Sequence, residues 1–314
     1  MTRDEILAIP ITAPGRLFHG SNIKERYWEL AQQWHPDKKG DAEVFSHIGK
    51  LRDAALASII EIKSKEGRKY RLAFLRRHLF ELGEMFVCRR YVVFKIDNQY
   101  DDFILRGLKR LGSIHYPTAE FRKSLEMFFP KVEKIIVTKT DHWILIPKTD
   151  DVVLLKDLLD HAGKLPATAV AWIVSSLMNL ACFLEITGIC HNGITIETVF
   201  VTPPHHAVYL LGGWWYATEQ GSPLRFLCPQ IHAIAPRDVV RTKKSDIRVD
   251  LESIRAVARL CLGDCPKPMK DYLTLPAPKS AMDDYGHWPE VLKESFGPRK
   301  FVKLPITAVD IYGA

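Results

Sequence analysis

The sequence has little of what builds small metal-bound or disulfide-stapled folds. It contains six cysteines among 314 residues, and none stands at the paired spacing of a zinc site or a disulfide framework. Cys261 and Cys265 are four apart, but no neighbouring residue supplies two further ligands. We therefore expect buried apolar thiols, no metal, and a reduced, cytoplasmic setting.

Membrane-targeting features are also scarce. No basic-then-apolar signal pattern opens the chain. One apolar run, residues 169–186, approaches membrane-spanning length, but Ser175, Ser176 and Asn179 interrupt it and Glu185 lies near its end. This run predicts a buried core helix, and we expect no membrane partner.

Acidic residues are few between Lys63 and Arg110, where lysine and arginine cluster. The formal net charge is +7, with a sequence pI near 9.0. The positive charge keeps nucleic acid among the candidate partners, although a solvated face of a small sheet explains such a cluster more often. A hydrophobic share of 47% excludes a disordered chain.

The first segment has the pattern of two helices joined by a polar loop. The first helix buries a stripe with helical spacing, formed by Ile23, Tyr27, Leu30, Ala31 and Trp34. Ser21 or Asn22 can cap it, and Pro36 ends it because proline disfavours helical geometry in the preceding residue. A second periodic stretch begins at Ala42.

The loop of this hairpin reads His35-Pro36-Asp37-Lys38. With its flanking helices it resembles the second helix, HPD loop and third helix of J-domains. The resemblance implies docking on an ATP-bound chaperone of the DnaK type, through the HPD residues and the positive side chains of Lys24 and Arg26. There is no clear counterpart of the family's first helix before Leu17.

Beyond about residue 67 the pattern becomes strand-like, and beyond Asp160 it is mostly helical. Over about residues 65–265 the ordered motifs resemble a protein kinase. Val92-Val93-Phe94-Lys95 resembles the third-strand lysine motif, and residues 191–201 resemble the catalytic loop. Leu210-Leu211-Gly212-Gly213-Trp214 stands where the metal-binding DFG turn is expected.

These resemblances predict an α+β fold with three parts. They are a J-like helical hairpin over residues 1–64, a small β-rich lobe over 65–150, and a larger helical lobe with a C-terminal helix and tail over 151–314.

The kinase resemblance leaves the catalytic positions empty. The catalytic aspartate corresponds to Gly193, the metal-binding asparagine to Thr198 and the DFG aspartate to Gly212. The glycine-rich turn keeps a single glycine, Gly83. Phosphoryl transfer needs several positioned groups at once, so we predict a pseudokinase with no catalytic residue and no cofactor. Its vestigial nucleotide cleft would comprise Lys95, His191, Gly193, Thr198, Gly212 and Trp214.

The sequence also predicts roles for Lys95 and for the aromatic run that begins at Trp214. Lys95 is expected to form a structural ion pair with an acid of the following helix, Asp101 or Asp102. The aromatic run Trp214-Trp215-Tyr216 predicts core packing, with an exposed recognition surface as the alternative.

The leading hypothesis is a non-catalytic adaptor of the co-chaperone type. Its HPD loop would engage a DnaK-type chaperone, while the pseudokinase body would bind an unidentified protein client. One alternative is a divergent nucleotide-dependent transferase that uses Lys95 and an unconventional acid. Another is an assembly protein that uses both folds only as interaction surfaces.

Overall fold

The computed structural model of the chain describes residues 1–18, 22–298 and 302–313. Its helices, in chain order, are α1 (Arg3–Leu7), α2 (Ile23–Trp34), α3 (Ala42–Ala57), α4 (Asp101–Gly112), α5 (Ala119–Leu125), α6 (Leu155–Ala162), α7 (Ala167–Ile186), α8 (Pro229–Ile234), α9 (Arg237–Thr242), α10 (Arg248–Cys261), α11 (Lys267–Thr274), α12 (Ala281–Phe296) and α13 (Ala308–Tyr312).

Most strands precede α6. In chain order they are β1 (Ile59–Lys63), β2 (Lys69–Ala73), β3 (Arg76–Phe80), β4 (Gly83–Val87), β5 (Tyr91–Asp97), β6 (Lys134–Val137), β7 (Asp141–Pro147), β8 (Val153–Leu154), β9 (Ile189–Cys190), β10 (Val199–Thr202), β11 (Ala207–Leu210) and β12 (Thr218–Glu219).

The chain divides into two compact units. The first comprises residues 1–98, 132–150 and 308–314, and the second comprises residues 99–131 and 151–307. The hairpin and the larger sheet therefore lie in the first unit, whereas α4 and α5 lie in the second. The division of the sequence at residues 64 and 150 stays a prediction.

In the first unit, α1, α2 and α3 share one apolar cluster. The predicted stripe of α2 is buried at Ile23 and Leu30, and α3 contributes Val44, Ile48 and Leu51. Asn22 occupies the N-cap position of α2, but its side chain makes no capping hydrogen bond. Ser21, the other capping candidate, lies outside the described residues. A short helix, α1, was not expected, and it adds the buried Ile6 to this cluster.

The sheet of the first unit has five antiparallel strands in the order β3-β4-β5-β7-β6. Side chains alternate across its faces, so Lys95 lies on the same face as Val93, beside Glu84 of β4 and Trp143 of β7. The hairpin β1-β2 packs on this face through Ile60 and Ile62. One small apolar core therefore lies between the β1-β2 strand pair and the five-stranded sheet.

The last residues of the chain, from Ala308 onward, also belong to the first unit. The structure has no regular element over 302–307, in keeping with the predicted extended tail, of which Phe301 lies outside the described residues. The unpredicted helix α13 then buries Ile311 and Tyr312. Arg76 of β3 donates to the carbonyl oxygen of Ile311 at 3.0 Å, and this bond fixes α13 on the edge of the sheet.

In the second unit, α7 is the central helix. Among the described residues it is the one helix long and apolar enough to cross a membrane, and 67% of its most apolar window is buried. It packs against α10 and α12. The long apolar run is thus a core helix, as expected from its polar interruptions.

A buried ion pair joins α10 to α12. The guanidinium of Arg255 donates to both carboxylate oxygens of Asp284, at 2.6 and 2.7 Å, and both side chains are 3% exposed. The hydroxyl of Tyr272 on α11 donates to the same carboxylate at 2.6 Å. Three helices therefore meet at one desolvated charge pair, whose hydrogen bonds offset the cost of burial.

Replacing Arg255 with methionine should strand the Asp284 carboxylate in the core. We expect the Arg255→Met variant to lose about 3–5 kcal/mol of unfolding free energy, measured by urea denaturation. The double variant Arg255→Met/Asp284→Leu removes both charges and should be more stable than the single one. A double variant less stable than Arg255→Met would contradict this account of the pair.

Candidate functional site

The HPD loop is one turn of 3₁₀ helix, Pro36–Lys38, between α2 and α3. His35 Nδ1 accepts the backbone N–H of Asp37 at 3.2 Å, and its ring packs edge-on against Phe45. One ring nitrogen of His35 is therefore satisfied within the hairpin. The Asp37 side chain is 88% exposed, so its carboxylate faces solvent.

Two features hold this loop in place. Gly40 approaches the end of α2 so closely that a Cβ would lie 2.2 Å from the Trp34 carbonyl carbon, so only glycine fits. Asp41 caps α3 by accepting the N–H groups of Glu43 and Val44 at 2.9 and 3.1 Å. Arg3 of α1 pairs with the same carboxylate at 2.7 Å, and this pair lowers the pKa of Asp41.

The predicted basic residues around the loop differ in their availability. Lys24 and Lys38 are exposed, whereas Arg26 pairs with Glu29 one helical turn away, at 2.8 Å. The positive charge beside the loop is therefore carried mainly by the lysines.

Lys95 takes both of its acidic partners from its own sheet. Its Nζ lies 2.9 Å from Glu84 Oε1 and 3.8 Å from Asp141 Oδ1. The expectation of an ion pair with Asp101 or Asp102 was wrong. Lys95 points instead to the sheet face that carries Glu84 and Asp141. It lines a cavity of about 390 Å³ within the first unit.

Gly83, the single glycine at the position of the kinase glycine-rich turn, has a packing role. A Cβ on Gly83 would lie 2.0 Å from the Lys95 carbonyl oxygen on the neighbouring strand. The pairing of β4 with β5 therefore requires glycine at this position.

The other predicted cleft residues lie in the second unit, where a buried carboxylate holds the loop that follows β9. Asp250 of α10 accepts the backbone N–H groups of His191 and Asn192, both at 2.7 Å. Asn192 adopts the left-handed conformation, which asparagine tolerates better than most residues. Its side-chain amide donates to the Tyr216 carbonyl and to Thr218, and so connects the loop to the segment around Trp214.

Both Asp250 and the His191 ring are fully buried, and burial opposes their charged forms. It raises the pKa of Asp250 to about 7, against the smaller opposing effect of the two N–H donors. It lowers the pKa of His191 to about 3, against a smaller effect of the Gly212 backbone. At neutral pH the imidazole is therefore uncharged, and the carboxylate is near its midpoint.

The glycine positions of this loop are tightly packed. A Cβ on Gly193 would lie 2.9 Å from the Tyr216 ring and 3.1 Å from the Gly213 carbonyl oxygen. A Cβ on Gly212 would lie 3.1–3.3 Å from three atoms of Thr198. The Thr198 hydroxyl is itself occupied, because it donates to the Gly193 carbonyl at 2.5 Å. A side chain at either glycine position would therefore require its neighbours to shift.

The aromatic run that follows forms one turn of 3₁₀ helix, Trp214–Tyr216, and is buried, with Trp215 the most exposed at 8%. The Trp214 indole donates to the Leu210 carbonyl at 2.7 Å and meets the His191 ring edge-on at 4.9 Å. Core packing was the expected arrangement. The alternative of an exposed recognition surface is wrong.

The contact of this turn with α4 was not predicted from the sequence. Gly107 of α4 approaches the turn so closely that a Cβ would lie 2.9 Å from the Trp214 carbonyl oxygen. A glycine in the middle of an amphipathic helix was the available signal, because it lowers helix stability unless packing requires it.

Among the described ranges there is no group of three or more histidine, cysteine, aspartate or glutamate side chains that could hold a metal ion. The six cysteines are free thiols.

Comparisons with known proteins bear on the fold. No family model matches the chain, and no curated protein does. Among 1691 matching chains of solved structures is one titled "Structure of vaccinia related kinase 3". The match has a TM-score of 0.51 at 13% identity and covers 75% of this chain and 90% of that one.

The chain has a protein-kinase-like fold. The expected kinase resemblance is confirmed at the level of architecture, because an identity of 13% reports on fold alone. The comparison supplies no support for a J-domain in the N-terminal hairpin.

Asp250 was not among the site residues predicted from the sequence, yet its carboxylate organises the loop at residues 191–192. An acid followed by apolar residues is common at the start of a helix. Its bonding to a loop about 60 residues earlier leaves no local signal.

The buried pair Asp250 and His191 predicts opposite pH effects. Relative to ordinary values of 3.8 and 6.5, folding takes up a proton at Asp250 between about pH 4 and 7 and releases one at His191 between about pH 3 and 6.5. The contribution of Asp250 to stability therefore falls as pH rises, and that of His191 rises. From pH 4 to 6.5 the two cancel.

Single substitutions should uncover each contribution. Relative to wild type, the unfolding free energy of Asp250→Asn should rise by about 1.4 kcal/mol per pH unit between pH 4.5 and 6. That of His191→Phe should fall at a similar slope. Urea denaturation at several pH values measures both, and slopes of the same sign would refute the assignment.

Proposed function

We propose that this protein is a non-catalytic adaptor of the co-chaperone type. Its HPD loop engages a DnaK-type chaperone, and its kinase-like body binds a protein client. The observation that carries the non-catalytic half is the filled space at Gly193 and Gly212. The observation behind the chaperone half is an ordered HPD loop with an exposed Asp37.

The resemblance to kinases assigns the catalytic and metal-binding carboxylates to Gly193 and Gly212. Phosphoryl transfer depends on carboxylates that orient the acceptor and hold the metal ions. Here a Cβ on Gly193 would lie 2.9 Å from the Tyr216 ring, and a Cβ on Gly212 would lie 3.1–3.3 Å from atoms of Thr198. The packing supports a site that has adapted to the absence of these groups, so restoring them one by one cannot rebuild it.

Phosphoryl transfer should therefore be absent and hard to restore. With magnesium and radiolabelled ATP, we expect the wild-type protein to transfer no phosphate to itself or to a generic acceptor protein. The double variant Gly193→Asp/Gly212→Asp should remain inactive and lose about 1–3 kcal/mol of stability, because the new atoms overfill a packed region.

Gly286→Asp serves as the matched control for these substitutions. Gly286 lies in a helix with no atom within 4 Å of its Cβ direction, so this variant should be close to wild type in stability. Phosphate transfer by the wild type, or its appearance in the double variant, would overturn the non-catalytic assignment.

The hairpin supports chaperone binding through its geometry. Gly40 and the Asp41 cap fix the loop, so little conformational entropy remains to be lost when a partner binds. The exposed Lys38 supplies positive potential beside the Asp37 carboxylate, and Lys24 is exposed at the far end of α2. Such charges favour an acidic partner surface.

The chaperone half predicts a rate effect. The wild-type protein should stimulate ATP hydrolysis by a DnaK-type chaperone, and His35→Gln or Asp37→Asn should reduce the stimulation about tenfold or more. The Asp37 side chain is exposed, so thermal unfolding of Asp37→Asn should be unchanged. His35→Gln loses the ring contact with Phe45, so its thermal unfolding is measured alongside its stimulation of the chaperone. Asp53→Asn, an exposed carboxylate on α3 away from the loop, is the matched control.

Equal stimulation by wild type, His35→Gln and Asp37→Asn would remove the chaperone half. If, in addition, the wild type and both variants co-purify with the same partner in a stoichiometric assembly, the result would support the assembly-protein alternative.

A second candidate is the nucleotide-dependent transferase. One observation favours it: Lys95 shares its cavity with two carboxylates, Glu84 and Asp141, that are each less than 20% exposed. Stabilisation of the protein by magnesium and ATP that Lys95→Ala abolishes would support this alternative over the adaptor.

A further inference from the structure

A second cavity lies wholly within the second unit. It has a volume of about 310 Å³ and is bounded by α4 on one side and by residues 215–226 on the other. None of the proposed adaptor contacts uses it. Its size is at the lower end of the range for small-molecule sites.

Positive charge dominates its polar lining, which includes Arg106, Lys109, Arg110 and Arg225 beside the hydroxyl residues Thr218 and Ser222. Two of these residues have acidic partners: Arg106 pairs with Asp102 at 2.6 Å, and Arg110 pairs with Glu219. Lys109 and Arg225 are exposed and form no ion pair within the part of the chain that the structure describes. Two cations at the cavity therefore remain available to an anion.

The apolar lining is aromatic and already assembled. Phe103 of α4 meets Phe226 edge-on at 5.9 Å, and Phe226 stacks on Tyr216 at 5.6 Å. Trp215 also lines the cavity. Because Tyr216 and Trp215 are buried in the turn described above, the rings stand on a rigid base. Such a wall offers contact area to a flat apolar group at little entropic cost.

We infer that this cavity binds a phosphate monoester carried on an aromatic body. The phosphate would lie between Lys109 and Arg225, and arginine suits it because its guanidinium can donate two parallel hydrogen bonds. The aromatic body would pack on Phe103 and Phe226. A phosphotyrosyl peptide and a nucleoside monophosphate share this chemistry, and the inference holds whether or not the protein binds a chaperone.

Binding can be measured by quenching of tryptophan fluorescence, because Trp215 lines the cavity. Phenyl phosphate should bind at least tenfold more tightly than inorganic phosphate, and added salt should weaken both. The double variant Lys109→Glu/Arg225→Glu should lose binding by a hundredfold or more. Lys270→Glu/Lys293→Glu makes the same charge change at exposed positions elsewhere in the unit and should bind as the wild type does.

The aromatic wall has its own test. Phe103→Leu keeps an apolar side chain but removes one ring, so the preference for phenyl phosphate over inorganic phosphate should fall severalfold. Thermal unfolding checks that each variant is folded. Loss of this preference with the affinity for inorganic phosphate retained would support the role of the wall.

Two probes, a phosphotyrosyl peptide and AMP, distinguish the two sources of the ligand. The probe that binds more tightly identifies whether the natural ligand is a phosphopeptide or a nucleotide. Equal binding of phenyl phosphate and inorganic phosphate would overturn the inference. So would an equal loss of binding in the two charge-reversed double variants, because the protein's net charge alone would then explain it.

Discussion

The second unit depends on one buried carboxylate. Asp250 sits at the start of α10 and accepts two backbone N–H groups from a loop about 60 residues earlier in the chain. A buried acceptor with two short hydrogen bonds fixes the backbone of residues 191–192 against the helix. That constraint lets Asn192 adopt its left-handed conformation, and its amide then connects the loop to Tyr216 and Thr218.

From this anchored loop the packing spreads by close backbone approaches. Gly193 touches Gly213, Gly212 touches Thr198, and Gly107 touches the Trp214 turn. A Cβ at any of these positions would require its neighbours to shift. Close backbone packing of this kind accompanies the kinase-like fold of the chain, which matches a solved kinase at 13% identity.

The sequence predicted what depends on local pattern. The apolar stripe of α2, the stop at Pro36 and the polar loop are near-neighbour effects, and they predicted the helices α2 and α3 and the loop between them. The kinase architecture was indicated by a set of ordered motifs that resemble a protein kinase. The first prediction rests on periodicity, which a single sequence carries, whereas the second rests on the resemblance.

What the sequence did not predict depends on contacts between distant residues. Lys95 pairs across its own sheet because strand register, not sequence distance, sets its neighbours. Helix α13 packs beside β3, more than 200 residues away, and no local pattern in the tail signals this. The basic and aromatic cavity lies between α4 and residues 215–226, which are about 100 residues apart in the chain. No local sequence pattern therefore groups its four cations.

If the proposed function is right, the kinase-like fold does not hold a metal–nucleotide complex. Equilibrium dialysis of the protein against manganese and radiolabelled ATP tests this most directly, because the ion and the nucleotide bound per chain are both counted. We predict that neither is retained by a stoichiometric amount of protein. Retention of about one ion and one nucleotide per chain, displaced by excess magnesium–ATP, would contradict the proposal.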